Sequence, residues 1–577
     1  MMADIYDIVG DGGSTCGFPG PTAQQPAPEQ VLNNLFFMSE DEWLALESFD
    51  SYDYVVVGSG CTALAFIHET LKLNHQKRIL CLERGGFLLP THFQNLSAPF
   101  RSIVGGGSVI YPWTLSKETY RSVLGYCHGF YPFFGGRSLF WSGWCPQPSV
   151  ETLRGYPKSM KETAANPKFW LSARGLLNVK ALNEMDDPTF GPLQRFVSSK
   201  LAFPSSEIPS LATTAPAELA GSYKRSSAGV GFSKFSSVET LLSLIQDQKQ
   251  KASRGVGKPL DVKLNCVVKS IVVDDGRAVG LETAYGFRKL DGDRTKLILC
   301  AGTIPNTTIL FNSIPQIQDK SNRLTGNFIS HVTFRVPKSD FSCLSGDGSE
   351  SLQVAAQCLL GHHPSTGRQY QIQVTSVHCP DVQRDLEELG RKCPDFSASA
   401  QVNQLLSSEE HVLFVCAAIG EFSEHNSRCW IRRNDNDPDK TTNVEIQYLC
   451  DEDDEALWQL MEDVTFQLAD RLSMPERREY WDKSTESWVN RKPDPRDLRV
   501  KGVVHESSTT FIGPESEGGS VDEMYRPYGC HDVYVTGGGI FPTAGAWNPT
   551  LTMCAFAQDL ARKLNDGLGG SGTNRIH

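Results

Sequence analysis

Apolar runs ending in glycines alternate with helical periodicity in the first well-patterned part of the chain. Residues 53–60, DYVVVGSG, form a continuous apolar run, which is typical of a parallel strand buried on both faces. Residues 61–75 carry apolar side chains at helical spacing, and residues 78–83, RILCLE, predict a second buried strand. This order predicts one strand–helix–strand unit.

The buried-strand pattern returns at residues 296–302 and 532–539. Residues 261–283 predict two further strands around a turn at Asp275 and Gly276. A closing helix is expected over residues 548–565, with Pro549 in its first turn, where proline costs no hydrogen bond.

A different pattern occupies residues 332–500. Apolar and polar positions alternate there, which predicts an antiparallel sheet with strands at 370–377, 411–418 and 443–449. A helix over 455–473 is expected to cover one face of it. The predicted fold class is therefore α/β, and α+β overall, with a nucleotide-binding domain beside an antiparallel-sheet domain.

These patterns divide the chain into seven segments. They are an N-terminal tail with a short helix at 39–47 (1–50), the nucleotide-binding domain in three parts (51–150, 231–331 and 501–566), an insertion or lid (151–230), the antiparallel-sheet domain (332–500) and a flexible tail (567–577).

Composition narrows the partners and the location. The 577 residues are 40% apolar and 21% charged, with a net charge of −12 and no long basic run, so nucleic acid and membrane surfaces are not expected partners. No apolar run approaches the roughly 18 residues of a membrane span, and the start lacks a signal-peptide pattern. The sixteen cysteines show no C-x-x-C spacing and are expected to be reduced. We predict an intracellular, cytoplasmic protein; the oligomeric state stays open.

The sequence Gly58-Ser59-Gly60-Cys61-Thr62-Ala63 follows the first strand and opens the helix, which is the setting of a dinucleotide-binding turn. Gly58 permits the tight turn, Gly60 lets the backbone approach a pyrophosphate, and Ala63 lets helix and strand pack closely. Glu83, at the end of the second strand, is placed to bind an adenosine ribose. A simple tight turn is the alternative interpretation; if a dinucleotide binds, these residues leave NAD and FAD both open.

Several later motifs occur in a fixed order. They are His505 to Gly513, Ser520 to Asp522, Tyr534 to Thr543, Trp547 to Thr552, Gly135 to Trp141, Cys300 to Thr303, and Thr325 to Asn327 with His331. This set resembles the glucose-methanol-choline (GMC) family of FAD oxidoreductases, and most of all its pyranose-oxidase-like members. The resemblance is weak over residues 332–500, where substrate contacts are expected.

The resemblance implies an FAD-dependent oxidase or dehydrogenase that acts on CH–OH groups of an alcohol, a sugar or a hydroxylated metabolite, with oxygen or another electron acceptor. It places the catalytic residues at His505, as general base, and Asn548, as hydrogen-bond donor to the reacting oxygen. A satisfied core histidine and a helix N-cap are the alternative interpretations of these two residues. The expected cofactor-binding residues are Gly58, Gly60, Cys61, Thr62, Ala63, Glu83, Arg84, Gly135, Gly136, Ser138, Trp141, Val267, Ala301, Gly302, Gly538, Gly539, Asn548, Pro549 and Thr550.

One departure from the relatives affects flavin attachment. Phe140 stands where pyranose oxidases carry the histidine that bonds covalently to the flavin, so we expect non-covalent FAD. The start of the last helix, near Thr550 and Leu551, is expected to stabilise negative charge on the reduced flavin by about 0.3–2 kcal/mol. His362 and His363 lack further ligands at metal spacing, so no metal is expected.

Two other functions stay open at this point. One is a lyase or isomerase on the same fold, with His505 as a plain acid/base. The other is a catalytically silent binding or scaffold protein; the presence of both His505 and Asn548 argues against it.

Overall fold

The computed structural model describes residues 28–97, 131–202, 207–226, 229–291, 293–320, 323–345, 350–394 and 402–567. Residues 1–27 of the predicted N-terminal tail (1–50) and residues 568–577 of the predicted flexible tail (567–577) lie outside these residues. The described helices are α1 Pro28–Leu35, α2 Glu40–Ala45, α3 Cys61–Leu73, α4 Lys158–Ala165, α5 Pro167–Leu177, α6 Pro192–Leu201, α7 Ser237–Ser253, α8 Thr303–Phe311, α9 Pro315–Lys320, α10 Val382–Lys392, α11 Val402–Leu405, α12 Glu452–Leu472, α13 Pro495–Leu498 and α14 Thr550–Asn565.

The strands fall into one parallel and several antiparallel sheets. They are β1 Tyr54–Val57, β2 Ile79–Leu82, β3 Val179–Ala181, β4 Leu211–Pro216, β5 Glu218–Ser226, β6 Gly229–Lys234, β7 Leu260–Lys263, β8 Val268–Asp274, β9 Arg277–Thr283, β10 Gly286–Lys289, β11 Lys296–Leu299, β12 Thr325–Pro337, β13 Gln353–His362, β14 Gln369–His378, β15 His411–Glu421, β16 Trp430–Arg433, β17 Val444–Gln447, β18 Glu479–Asp482, β19 Ser487–Val489, β20 Val504–Ser507 and β21 Val533–Val535.

The parallel sheet has the strand order β21-β11-β1-β2-β7. Its strands are short and apolar, and β1 and β2 are buried at every position, as the continuous apolar runs predict. The predicted pair of strands at 261–283 is in fact three strands, β7, β8 and β9. The extended conformation is interrupted between β7 and β8 at Asn265, which has a φ of 56°. The turn between β8 and β9 lies at Asp275 and Gly276, as expected.

The larger antiparallel sheet has the order β19-β18-β12-β15-β14-β13-β4, and β20 also pairs with β12. Helix α12 covers one face of it, with Trp458 stacked on Phe328 and Glu462 accepting a hydrogen bond from Ser330. Strand β12 runs across the predicted boundary at residue 331. Residues 443–449 were expected in this sheet, but β17 pairs with β16 in a separate two-stranded sheet.

Two segments join the core in ways that the sequence pattern does not predict. Within residues 28–50, Trp43 and Phe49 are fully buried, and the Met38 N–H donates to the Val262 carbonyl. Within residues 151–230, helix α5 packs against α14, while β4 joins the large antiparallel sheet. The described part of the N-terminal segment is therefore integrated in the core.

Every cysteine in the described ranges is a free thiol. Among the same residues, each helix is too short or too polar to cross a bilayer.

Candidate active site

A cavity of about 380 Å³ lies between the parallel sheet and the large antiparallel sheet. Its wall includes the carboxyl ends of β1, β2 and β11, where ligands bind in parallel sheets of this kind. The opposite wall is formed by β12, β14 and β15 through Ile329, His331, Gln373, Ala417 and Ile419.

The glycine turn after β1 forms one end of this cavity. Gly58 has a φ of 98°, and a Cβ there would lie 2.7 Å from the Cys300 carbonyl oxygen, so this position requires glycine. Gly60 differs, since a Cβ there would meet no protein atom within 4 Å. The backbone at Gly60 therefore faces open space, as a turn that admits a pyrophosphate must.

Three helices begin at the cavity wall. Helices α3, α8 and α14 contribute Cys61, Thr303 and Thr550 from their first turns, and no side chain caps any of the three N-termini. Uncapped first-turn N–H groups and the positive end of the helix dipole favour anions. The wall is therefore electropositive where it is formed by backbone.

Glu83 lies at the end of β2 and is 5% exposed. Its Oε2 accepts hydrogen bonds from the Ser59 N–H at 3.1 Å and from Ser59 Oγ at 2.5 Å, and its Oε1 accepts one from the Gly85 N–H at 2.9 Å. Burial raises the pKa of the Glu83 carboxyl to about 7, although these hydrogen bonds act in the opposite direction. Arg84 lines the cavity beside it and donates to Thr441 Oγ1.

The segment that holds the expected cofactor-binding residues Gly135, Gly136, Ser138 and Trp141 makes a single turn at Gly136–Leu139. Ser138 Oγ donates to the Gly135 carbonyl at 2.6 Å and lies 2.9 Å from Ser237 Oγ, so it fixes this turn against α7. Trp141 also lines the cavity, and its Nε1 donates to the Phe235 carbonyl.

Phe140 lines the cavity between two aromatic rings. Its ring stacks on Phe93 at 5.4 Å and on Tyr131 at 5.0 Å between centroids. His92 is nearby in the fold but fully buried, with its Nε2 2.7 Å from the Trp141 carbonyl and its Nδ1 accepting from the Gln94 N–H. Burial lowers the pKa of His92 to about 3. The described histidines that line the cavity are His331 and His505.

The two predicted catalytic residues line the same cavity from different elements. His505 lies on β20, and its Nδ1 is 2.7 Å from Asn327 Oδ1 on the neighbouring strand β12. Asn548 lies before α14, and its Oδ1 accepts hydrogen bonds from Gln371 Nε2 at 3.1 Å and Gln373 Nε2 at 2.6 Å.

The start of α14 differs from the prediction by two residues. Pro549 is the N-cap and the helix begins at Thr550, so Asn548 lies outside it. The Asn548 side chain binds the glutamines of β14 and does not cap the helix. Asn548 therefore binds residues that are distant in the sequence, Gln371 and Gln373, instead of forming a local capping hydrogen bond.

Most of the expected cofactor-binding residues line this one cavity. They are Gly58, Gly60, Cys61, Thr62, Glu83, Arg84, Gly136, Ser138, Trp141, Val267, Ala301, Gly302, Gly538, Asn548, Pro549 and Thr550. Three expected residues do not line it. Ala63 is buried in the core, a Cβ on Gly135 would clash with Val238, and a Cβ on Gly539 would lie 3.0 Å from Thr510 Oγ1, so each of these serves the packing behind the wall.

Sequence reasoning assigned no role to Asn327, Gln371 or Gln373. Asn327 lies in the motif Thr325 to Asn327, whereas the glutamines lie in residues 332–500, where the family resemblance is weak. Their one signal is the polar alternation Gln369, Gln371, Gln373 in β14, which a buried strand keeps only when the amides have partners.

The chain was compared with known proteins. Residues 425–557 match the family model described as GMC oxidoreductase. No curated protein sequence matches the chain. Among solved structures, the fold is similar to the crystal structure of pyridoxine 4-oxidase from Mesorbium loti, with a TM-score of 0.55 and 13% identity over 90% of this chain and 100% of that one. The predicted fold class is confirmed, and the family resemblance is confirmed over residues 425–557. The closer likeness to pyranose-oxidase-like members stays a prediction.

Proposed function

We propose that this protein is a GMC-type oxidoreductase that uses FAD to oxidise a hydroxyl-bearing carbon of a small molecule. One observation carries the proposal: His505 and Asn548 line the same cavity as the dinucleotide turn at Gly58 and Gly60. The residues come from distant parts of the chain and from three structural elements. A cavity that combines a phosphate-binding turn with an imidazole and an amide suits a flavin and an alcohol side by side.

The residues present fit FAD. Gly60 leaves space for a pyrophosphate, the uncapped start of α3 offers N–H donors to it, and the buried Glu83 carboxyl can bind a ribose hydroxyl. Bound FAD would accept the hydride that leaves the alcohol carbon. Because Phe140 has no nucleophilic atom and His92 is buried and hydrogen-bonded outside the cavity wall, non-covalent binding is part of the proposal.

His505 would take the hydroxyl proton of the substrate. An alcohol loses hydride readily only when its oxygen gives up its proton, and a neutral imidazole is a suitable base near neutral pH. The position of His505 on the cavity wall gives its ring access to bound substrate.

Asn548 would donate a hydrogen bond to the same substrate oxygen. Its Oδ1 is occupied by Gln371 and Gln373, so its Nδ2 points the other way, and within the described residues Nδ2 makes no hydrogen bond. The two glutamines thus orient the amide with its donor toward the cavity. An oriented donor of this kind stabilises developing negative charge on oxygen.

The test is anaerobic mixing of the FAD-loaded protein with panels of alcohols, sugars and glycosides, followed by flavin absorbance. A true substrate should bleach the flavin, and admitting oxygen or another acceptor should restore the colour. His505→Ala should slow bleaching by about 10²–10⁴-fold and Asn548→Ala by about 10²–10³-fold.

Two results would contradict the proposal. Equal bleaching rates in the wild type and both variants would remove the assigned roles. Turnover of a substrate without any flavin reduction would indicate the non-redox alternative, a lyase or isomerase with His505 as acid/base.

A further inference from the structure

Asn327 is fully buried on β12 and contacts three separate elements with one side chain. Its Nδ2 donates to the Gly420 carbonyl on β15 at 3.3 Å and to the Gly545 carbonyl before α14 at 2.7 Å. Its Oδ1 is 2.7 Å from His505 Nδ1. All hydrogen-bonding capacity of the amide nitrogen is therefore committed to backbone oxygens.

These partners fix the direction of the amide. Carbonyl oxygens only accept hydrogen bonds, so the NH₂ group must face Gly420 and Gly545, and the amide oxygen must face His505. An amide oxygen only accepts, so His505 Nδ1 must carry the hydrogen in this contact. In the neutral imidazole the remaining nitrogen, Nε2, is then the basic one.

We infer that Asn327 is a positioning residue that holds His505 in the tautomer with an unprotonated Nε2. The inference rests on the proposed function, in which His505 is the base. It goes further, since it names the residue that decides which ring nitrogen can accept the proton.

The backbone of His505 supports this role. Its φ of 60° lies in the left-handed region, which non-glycine residues seldom adopt unless surrounding contacts hold them there. Strand β20 pairs with β12 through the partners Thr325 with Ser507 and Asn327 with Val504, with an irregular register between them. Asn327 therefore pairs with Val504, the residue before His505, and also binds the His505 ring.

Asn327 also relates the two catalytic residues in space. Gly545, which accepts from Asn327, lies three residues before Asn548. One amide therefore ties the strand of His505 to the loop of Asn548. A neutral amide does this without adding a carboxylate charge beside the imidazole, so it does not favour the protonated ring before substrate binds.

The test compares three variants as FAD-loaded proteins with a substrate that bleaches the flavin. Asn327→Leu removes the acceptor and should slow flavin reduction by about 10–100-fold, the range typical of losing a partner that orients a metal-bound histidine. Asn327→Asp keeps an oxygen acceptor for Nδ1 and adds a negative charge once its carboxyl is ionised, while its second oxygen faces the Gly420 and Gly545 carbonyls that the amide NH₂ had served. It should recover most of the rate at high pH and move the acid limb of the pH profile upward, because a nearby carboxylate favours the protonated imidazole.

Asn426→Leu is the matched control. Asn426 is also a buried amide that donates to a backbone carbonyl, Leu449, and to a side chain, Asp454, but it has no contact with His505. This variant should lose stability and keep the wild-type pH profile.

The inference is overturned if Asn327→Leu reduces flavin at the wild-type rate, or if Asn327→Asp leaves the acid limb unmoved. Should Asn327→Leu fail to fold, the pH profile of Asn327→Asp decides the question alone. His505→Ala separates this result from the proposed function: wild-type reduction in that variant removes the base itself, whereas a slow His505→Ala with a normal Asn327→Leu removes only the role of Asn327.

Discussion

Replacing Glu421 with glutamine should make the protein more stable at pH 8 and leave its stability nearly unchanged at about pH 4. Glu421 is 1% exposed; its Oε1 accepts from the Gln369 N–H, and its Oε2 is buried without a hydrogen bond in the described structure. Arg154 is 3.7 Å away and does not offset the burial. Burial therefore raises the pKa of the Glu421 carboxyl from 4.5 to about 7.

The direction of the effect follows from which state releases its proton first. Between about pH 4.5 and pH 7 the unfolded chain has an ionised Glu421 while the folded chain still holds the proton, so stability falls as the pH rises through this window. At about 1.4 kcal/mol for each pH unit, the full loss is about 3 kcal/mol above pH 7. A glutamine has the shape of the protonated acid and avoids this loss.

Thermal unfolding followed at several pH values measures the effect. For 577 residues, an unfolding entropy of about 2.1 cal/mol/K per residue gives about 1.2 kcal/mol/K, so 3 kcal/mol corresponds to a Tm difference of roughly 2–3 °C. The variant and the wild type should melt together at about pH 4 and separate by this amount at pH 8. Glu424→Gln is the matched control, since Glu424 also faces Arg154 but is more exposed, at 17% of its side chain.

The reasoning is refuted if Glu421→Gln melts below the wild type at pH 8, which would mean that the ionised carboxylate stabilises the fold through Arg154. It is also refuted if the difference between the two proteins is the same at both pH values.

Three further predictions concern the cofactor and the amide donor. Gly60→Val should fold but lose the yellow colour of bound FAD, because a Cβ there would meet no protein atom within 4 Å and the side chain would enter the space proposed for the pyrophosphate. A fully loaded variant would contradict the assignment of the turn. Acid precipitation should leave the flavin in the supernatant, since Phe140 cannot bond to it, and a fluorescent pellet would show an attachment residue elsewhere. Gln373→Leu should slow flavin reduction by about 10-fold through loss of the 2.6 Å bond that orients Asn548, with flavin content as the control. Unchanged reduction would mean that Gln371 alone suffices.

The sequence predicts the strands of the parallel sheet better than those of the large antiparallel sheet. Continuous apolar runs can hardly be anything other than buried strands, and the glycines of the turn at Gly58 mark the end of β1 without ambiguity. The burial of Trp43 and Phe49 was not foreseen because an amphipathic segment only six residues long carries little periodicity. Its partners are a strand and a loop more than two hundred residues away.

The candidate site shows the same division. His505 and Asn548 are recognisable from their local motifs. Gln371 and Gln373 are not, because they contact Asn548 although 177 and 175 residues separate them from it in the sequence. The orientation of Asn327 toward His505 depends likewise on the pairing of β12 with β20. The polar alternation in β14 indicates that the glutamine amides have partners, but it does not say which residues the partners are.

Residues that are far apart in the chain form the cavity, so the cavity is complete only after most of the chain has been synthesised. Cys61, at the start of α3, and Cys554, in α14, are in contact although 493 residues separate them. A nascent chain that has emerged only as far as β15 would contain the glycine turn at Gly58 and Gly60 but lack His505, Asn548 and the helix that packs on α3. We therefore expect FAD to bind only after translation has passed residue 553. Chains that terminate earlier should not bind the flavin and should stay colourless.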